Sequence, residues 1–277
     1  MGIEGKIAFV GGGAMGEAIL RRLLTDAVAT PAQITVSEPV TARRESLAQQ
    51  YAVNVTGDNT AAVDAARVVV LAVKPQVIDK VAAELRGRLQ PETLVISIMA
   101  GVRIRTMQQS LAHERIVRSM PNTPAQVGKG MTVWTATPQV SEADKTIAQT
   151  ILEAMGDAVF VADEHYLDAA TGLSGSGPGF VFLLVEAMID AGVHVGFSRA
   201  QAERIALQTL EGSIALARES GAHPAVLRNL VTSPAGTTAA GTLVLERAGL
   251  RATIIEAVEA AYRRSKELGD LSEGASH

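Results

Sequence analysis

The chain has 277 residues, 47% of them hydrophobic, which is enough for one large core or two ordinary ones and marks a globular protein. Its net charge of −4 is mild and both signs are dispersed, so no basic stripe points to nucleic acid or to an anionic membrane surface. The absence of cysteine excludes a disulfide framework, a thiolate nucleophile and a cysteine-based metal site, and accords with a reducing compartment, so the cytoplasm is the expected location.

Near the start, Glu4 and Lys6 break the patterns of a secretory leader and of a myristoylation signal. Lys6–Val10 predicts a strand, followed at once by Gly11-Gly12-Gly13-Ala14-Met15-Gly16 and then by the helical spacing of Ala18, Ile19, Leu20, Leu23 and Leu24. Strand, G-x-G-x-x-G and helix form the arrangement that binds a dinucleotide. Gly11 permits the tight turn, Gly13 lets backbone approach a pyrophosphate, Gly16 lets helix pack on strand, and the pyrophosphate rests on the helix N-terminus.

The second strand, Ile34–Ser37, ends at Glu38, about twenty residues beyond Gly16, where an acidic side chain bonds the ribose hydroxyls of NADH. Ser37 before it, and Arg43 and Arg44 on a helix predicted from Val40 to Tyr51, offer partners to the 2′-phosphate of NADPH instead, so the residues leave the coenzyme open. A helix from Asp58 or Asn59 leads to a continuous β-branched strand, Arg67–Val73, of the kind a parallel sheet buries on both faces. Lys74-Pro75 closes it at the edge where doubly wound sheets bind ligands, which puts Lys74 beside the cofactor cleft. Further strands are predicted at 94–99, 116–120, 131–135 and 158–162. The turns at Ala100-Gly101 and Pro121-Asn122-Thr123-Pro124 fall at the same edge. Ser141 to Met155 reads as a helix with a serine N-cap and acids in its first turn.

After about Asp163 the strands stop and helical stretches follow one another, at 164–173, 178–195, 198–220, 224–231, 236–248 and 251–268. The expected architecture is α/β, with an N-terminal Rossmann-type dinucleotide-binding domain over residues 1–162 and an all-α domain over 163–277. The most apolar run, Gly179 to Val185, stops at Glu186 and is too short to span a bilayer, so no membrane is expected. Apolar residues lie all round the helix from Gly177 to Ile189, a pattern that demands burial on every side. A helical domain of this size offers too little interior, so a homodimer through the C-terminal domain is expected.

The stretch Thr232-Ser233-Pro234-Ala235-Gly236-Thr237-Thr238 stands before the helical pattern from Leu243. It reads as a helix start with exposed N–H groups, fit either to cap a helix or to hold a carboxylate while the hydroxyls of Thr237 and Thr238 reach neighbouring atoms. Other catalytic groups are scarce. His113, His165, His194 and His223 are scattered and His277 is terminal. Asp163-Glu164-His165 would point its side chains apart, and no nucleophile elbow or phosphate P-loop occurs, so no metal is expected. Hydride transfer by the coenzyme itself is the chemistry that remains, with an acceptor electrophilic enough to need no strong acid.

Five segments together, Gly11–Gly16, Leu71-Ala72-Val73-Lys74-Pro75, Met120–Pro124, Gly175-Ser176-Gly177-Pro178 and Thr232–Thr238, resemble the pyrroline-5-carboxylate reductases, in order and over almost the whole chain. That resemblance implies reduction of L-1-pyrroline-5-carboxylate to L-proline, the last step of proline synthesis, with NADPH or NADH, in a homodimer or a ring of dimers whose helical domains interlock. It places Asn59 and the Ala72-Val73-Lys74-Pro75 turn on the cofactor, and with the motif and sheet-edge reading the expected cofactor residues also include Gly11, Gly13, Ala14, Met15, Gly16, Ser37, Glu38, Arg43, Ala100, Gly101 and Asn122. Ser233, Ala235, Gly236, Thr237 and Thr238 fall on the substrate, with Thr238 bonding the ring nitrogen as the catalytic residue. Members of the family commonly use NADPH, and Glu38 departs from the small polar residue expected beside a 2′-phosphate. Ala235 departs from the usual glycine. A β-hydroxyacid dehydrogenase would need a catalytic lysine on a long interdomain helix, yet no lysine lies between Lys145 and Lys266. A sensor that binds coenzyme without turnover is the other alternative.

Overall fold

The computed structural model describes residues 2–274, with side chains of the last helix described through Asp270; Met1 and His277 lie outside the described residues. The chain divides into two compact units, one of residues 1–176 and 260–277, the other of residues 177–259. The sequence changes character at 163, but the packing divides later. The short helix α7 (Tyr166–Ala170) buries Leu167, Asp168 and Ala170 in the first unit, and the end of the last helix returns there as well.

The first unit is built on one eight-stranded sheet. In chain order it runs β1 (Lys6–Val10), α1 (Ala14–Thr25), β2 (Ile34–Ser37), α2 (Thr41–Tyr51), β3 (Asn54–Thr56), α3 (Asn59–Val63), β4 (Ala66–Leu71), α4 (Ile78–Leu85), β5 (Leu94–Ser97), α5 (Ile104–Leu111), β6 (Ile116–Met120), β7 (Gly130–Ala136), α6 (Glu142–Glu153) and β8 (Gly156–Phe160). The spatial order β3-β2-β1-β4-β5-β6-β7-β8 is parallel except where β6 meets β7. Its first six strands have the doubly wound dinucleotide-binding order. Alternation along the strands feeds two cores, one on each face. Ile7, Phe9, Val68 and Val70 enter the first, whereas Ala8, Val10, Val69 and Leu71 enter the second. β3 was not foreseen: it is three residues long and none of its side chains is buried.

The amino end of the sheet is tied by charge. Asp144, fully buried in the first turn of α6, pairs with both Arg67 and Arg115 and accepts from Ser141 Oγ at 2.8 Å. Ser141 caps the helix by accepting from the backbone N–H of Asp144.

The second unit contains α8 (Gly177–His194), α9 (Arg199–Ser220), α10 (Pro224–Leu230), α11 (Thr237–Arg247) and the first turns of α12 (Leu250–Gly274). Ser198 and Gln201 form a capping box on α9, and Gly221 ends it in the left-handed conformation. Gly192 of α8 lies so close to Ala202 of α9 that a β-carbon there would sit 2.8 Å from the Ala202 methyl. Ala202 and Ala206 are the buried hydrophobic residues of this unit among those described, and no residue of α8 is buried. α7, a π turn at Thr171–Gly175 and α8 follow one another with a single bend at Ser176, and an 18-residue window within Tyr166–His194 has a mean hydropathy of 1.4. By length and composition that segment reaches the size of a membrane span, which the shorter stretch to Glu186 did not suggest.

Candidate active site

The turn between β1 and α1 is shaped by its glycines. Gly11 has φ 102°, and a β-carbon there would lie 2.6 Å from the Ala72 carbonyl oxygen, so no other residue fits without displacing β4. Gly13 differs: nothing lies within 4 Å of where its β-carbon would be. Its φ of −67° and ψ of 179° are open to any residue, so the fold itself does not demand glycine there; close approach of a ligand does. Gly13 is the N-cap of α1 and offers no side-chain cap, which leaves the N–H groups of Ala14 and Met15 pointing from a positive helix end. These residues fit a pyrophosphate.

At the end of β2 the side chains form a closed network around this loop. Glu38 accepts from Gly12 N at 3.0 Å through one oxygen and from Val40 N at 3.1 Å through the other. Arg43 donates to the Gly12 carbonyl at 2.8 Å and to Glu17 at 2.5 Å, and the Tyr51 hydroxyl donates to the other oxygen of Glu17 at 2.8 Å. Burial alone would raise the Glu17 pKa, but the bonds from Arg43 and Tyr51 and the Arg43 charge outweigh it and hold this carboxyl below its ordinary range. Burial, together with the bond to the Glu17 carboxylate, pushes the Tyr51 phenol up. Arg44 turns away, donating to the carbonyls of Glu38 and Pro39 and to Thr41. Ser37 is buried, and its hydroxyl donates to Asn59 Oδ1 at 2.5 Å while Asn59 Nδ2 donates to Glu84 at 2.7 Å. The Ser37 hydroxyl is therefore engaged inside the fold, because a buried hydroxyl requires a partner.

Farther along the carboxyl edge, Pro75, Ala100 and Gly101 open onto a cleft of about 640 Å³. Gln76, Asp79 and Thr106 line it beside them, with Thr171 and Ser176 from the segment leading into α8 and Arg264 and Ser265 from α12. Ser265 donates to Asp168 Oδ1 at 2.8 Å, and both are buried, so the α12 wall of the cleft is anchored from beneath. Sequence reading missed this wall: Asp168 and Ser265 are 97 residues apart and no local pattern links them. Lys74 is exposed where the strand ends. Asn122 serves the fold, donating to the Ser174 carbonyl at 2.9 Å and accepting from Met131 N at 2.9 Å. Of residues 163–165 only Glu164 turns away, while Asp163 and His165 stay together, against the expectation that all three side chains point apart. Glu164 takes Arg118 at 2.6 Å and Ile104 N at 2.8 Å, whereas Asp163 pairs with His165 at 2.9 Å.

In the second unit, the segment before α11 makes a tight turn in which Gly236 N donates to the Ser233 carbonyl at 3.0 Å. A β-carbon at Gly236 would lie 2.4 Å from Ser233 Oγ, so the serine hydroxyl lies against the start of the helix. Ala235 has φ 59°, the left-handed region that favours glycine. Gly236 is the N-cap, again without a side-chain bond, so the N–H groups of Thr237, Thr238 and Ala239 begin an eleven-residue helix uncapped. Thr238 is half-buried and Thr237 exposed. The hydroxyls and free N–H groups foreseen from sequence thus stand on one turn.

A doubly wound sheet with a glycine turn feeding an uncapped helix and a cleft at its carboxyl edge is the arrangement of a Rossmann-type domain that binds a nicotinamide coenzyme. Residues 6–101 match the family described as NADP oxidoreductase, coenzyme F420-dependent, and residues 164–268 match the pyrroline-5-carboxylate reductase dimerisation family. Pyrroline-5-carboxylate reductase of Synechocystis sp. is 48% identical over 95% of this chain and 98% of its own, and that of Escherichia coli is 39% identical over 96% and 99%. A solved pyrroline-5-carboxylate reductase from Coxiella burnetii superimposes with a TM-score of 0.91 at 37% identity, covering 95% of this chain and 98% of that one. A pyrroline carboxylate reductase from Plasmodium falciparum, solved with NADP bound, gives 0.86 at 30% identity over 97% and 100%. The chain belongs to the pyrroline-5-carboxylate reductase family: it reduces pyrroline-5-carboxylate to proline with a nicotinamide coenzyme and carries the family's dimerisation domain.

Proposed function

We propose that the enzyme takes the substrate carboxylate on the first turn of α11, holds the ring nitrogen with Thr238, and prefers NADH to NADPH. The observation that carries the substrate reading is the uncapped start of α11, whose N–H groups have no side-chain partner and lie beside the Ser233 hydroxyl. Ser233, Ala235, Gly236 and Thr237 shape that turn around the carboxylate. The Thr238 hydroxyl, one residue into the helix, bonds the imine nitrogen and fixes the face the ring presents. A cyclic imine protonates readily and is then electrophilic, so positioning and a hydrogen bond suffice and no strong acid is needed.

Gly11, Gly13, Ala14, Met15 and Gly16 hold the coenzyme's pyrophosphate. Glu38 takes the adenosine ribose, with Asn59 behind it. Ala72, Val73, Lys74, Pro75, Ala100 and Gly101 line its path along the sheet edge. When bound, the coenzyme supplies the hydride that reduces the C=N carbon. The preference for NADH is supported by Glu38, a carboxylate fixed by two backbone N–H groups where a 2′-phosphate would have to lie. The NADP bound to the Plasmodium falciparum relative favours the second reading, NADPH.

The C-terminal domain, residues 163–277, forms the contact of a homodimer, with a ring of dimers as the larger assembly, in the cytoplasm where a cysteine-free enzyme and reduced nicotinamide meet. Loss of reduced-nicotinamide absorbance with pyrroline-5-carboxylate and each coenzyme tests the preference, and a higher kcat/KM with NADPH refutes it. Thr238→Ala should lower kcat by about tenfold, on the order of 1.4 kcal/mol of transition-state stabilisation. Unchanged kinetics in that variant would remove Thr238 from the mechanism.

A further inference from the structure

Coenzyme choice in this fold is ordinarily referred to the residue at the end of β2, here Glu38. The structure points to a second determinant on a different element. Arg43 is the guanidinium nearest in sequence to Glu38 that also touches the glycine loop, through its bond to the Gly12 carbonyl at 2.8 Å. Its terminal nitrogen is drawn the other way, to Glu17 on α1 at 2.5 Å, and Glu17 is itself held by the Tyr51 hydroxyl at 2.8 Å. Gly12 is thereby gripped on both sides, its N–H by Glu38 and its C=O by Arg43. Arg44 is committed to the Glu38 and Pro39 carbonyls and to Thr41.

We propose that Glu17, steadied by Tyr51, is a positioning residue for coenzyme selection: it holds Arg43 on the glycine loop and so withholds it from a 2′-phosphate. The proposal rests on the reading that the adenosine ribose lies at Glu38. A 2′-phosphate brings a charge near −2 and rewards a guanidinium able to turn its fork toward it. With Glu17 in place, the phosphate meets one fixed carboxylate at Glu38 and competes with a second for Arg43, the guanidinium bound to the loop carbonyl. Removing the Glu17 charge releases the fork while the Arg43 bond to Gly12 keeps the side chain at the loop.

The test uses the full-length enzyme and two readouts. The first is the ratio of kcat/KM for NADPH to that for NADH. The second is calorimetric binding of two probes, adenosine 2′,5′-bisphosphate and adenosine 5′-monophosphate, which differ by the 2′-phosphate and need no turnover. In Glu17→Gln the NADPH/NADH ratio should rise by about fivefold or more, and the bisphosphate should tighten by a similar factor relative to the monophosphate, the scale of one half-exposed charge-assisted bond. Adding Arg43→Ala to Glu17→Gln should cancel both gains. Tyr51→Phe, which deletes a single hydroxyl, should move both in the same direction by less. A structural role alone would weaken both coenzymes and both probes together and leave the ratios flat, and that result in Glu17→Gln and Tyr51→Phe would overturn the proposal. Glu38→Ser separates the two levels. A ratio that rises in Glu38→Ser but stays flat in Glu17→Gln sinks the role of Glu17 alone. Flat ratios in both sink the placement of the ribose at Glu38 and this inference with it.

Discussion

The buried carboxylate of Asp144 offers the sharpest test of which parts of the first unit support the fold and which support the reaction. Its side chain is 0% exposed and pairs with Arg67, at the start of β4, and with Arg115, just before β6. Changing Asp144 to Asn keeps the shape and removes the charge. Two hydrogen bonds between charged partners are worth about 1.5–3 kcal/mol each. Arg67 and Arg115 keep 32% and 21% exposure, so water recovers part of that, and Arg67 retains its bond to the Glu92 carbonyl. A loss of about 3 kcal/mol results, at the lower end for a broken buried pair, against a total stability of roughly 5–15 kcal/mol. The sign of the pH dependence follows from the carboxyl. Burial would raise its pKa, but the bonds from Arg67 and Ser141 and the two guanidinium charges outweigh burial and hold it below the ordinary value. Its contribution is therefore present above about pH 4, the unfolded carboxylate value, and lost as pH falls through the folded one. Urea unfolding should show wild type ahead of Asp144→Asn at pH 7 and the gap narrowing as pH falls below about 4. Because Asp144 sits at the amino ends of the strands, away from Pro75, Ala100 and Gly101, kcat/KM at 25 °C should stay within about twofold. A variant within about 0.5 kcal/mol of wild type at pH 7, or a gap that persists in acid, would refute the reasoning.

Leu183 is 67% exposed on α8, and Leu183→Asp should shift the mass measured by light scattering toward the monomer; an unchanged mass would take this face out of the oligomer contact. Ala235→Gly relieves a left-handed alanine, a strain of about 1–2 kcal/mol, against a glycine entropy cost of about 0.5–1 kcal/mol, so the thermal midpoint should rise slightly; a fall would mean that the methyl packs usefully. Burial pushes the His113 pKa down, outweighing its bond to the Thr93 carbonyl, so the folded protein favours the neutral ring. Stability from this group is present above about pH 6.5 and lost as pH falls below it, and a plot of urea midpoint against pH between 7 and 5 should be flatter in His113→Gln than in wild type.

What was legible in the sequence was local. Gly11, Gly13 and Gly16 act within one turn, Glu38 follows its strand directly, and Ser141 and Ser198 cap the helices they precede. What was not legible depends on distant partners or on residues that do not advertise their conformation. α2 and α5 end on Ala52 and Ala112 in the left-handed conformation, where glycine would have been the readable signal. Ser37 and Asn122 were read as facing ligand because of their places at the sheet edge, yet their polar atoms answer Asn59, Ser174 and Met131. A position in sequence does not reveal which buried group a hydroxyl or amide must satisfy. α12 meets the first unit through Ser265 on Asp168 and Asp270 on Arg103, contacts that only the tertiary structure creates.

The helix α8 was read from a failure of periodicity, and the structure gives that failure its physical meaning. A unit whose described residues bury only two alanines as apolar groups cannot repay the conformational entropy of ordering more than eighty residues from its own contacts. Leu183 and Phe182 on α8, Ile214 on α9 and Leu230 on α10 are all more than half exposed within one chain, and so are Val244 on α11 and Ile255 on α12. Such exposure fits a unit that covers these residues with another copy, the role named by the dimerisation family matched over residues 164–268. The first turn of α11 belongs to this same unit. Under the proposed reading, the N–H groups that take the substrate carboxylate stand on elements that bury little within one chain, so substrate reduction should depend on association. Dilution below the dissociation constant of the oligomer should accordingly abolish substrate reduction while leaving adenosine 5′-monophosphate binding by the first unit intact, because Gly11, Gly13 and Glu38 rest on a sheet with two cores of its own.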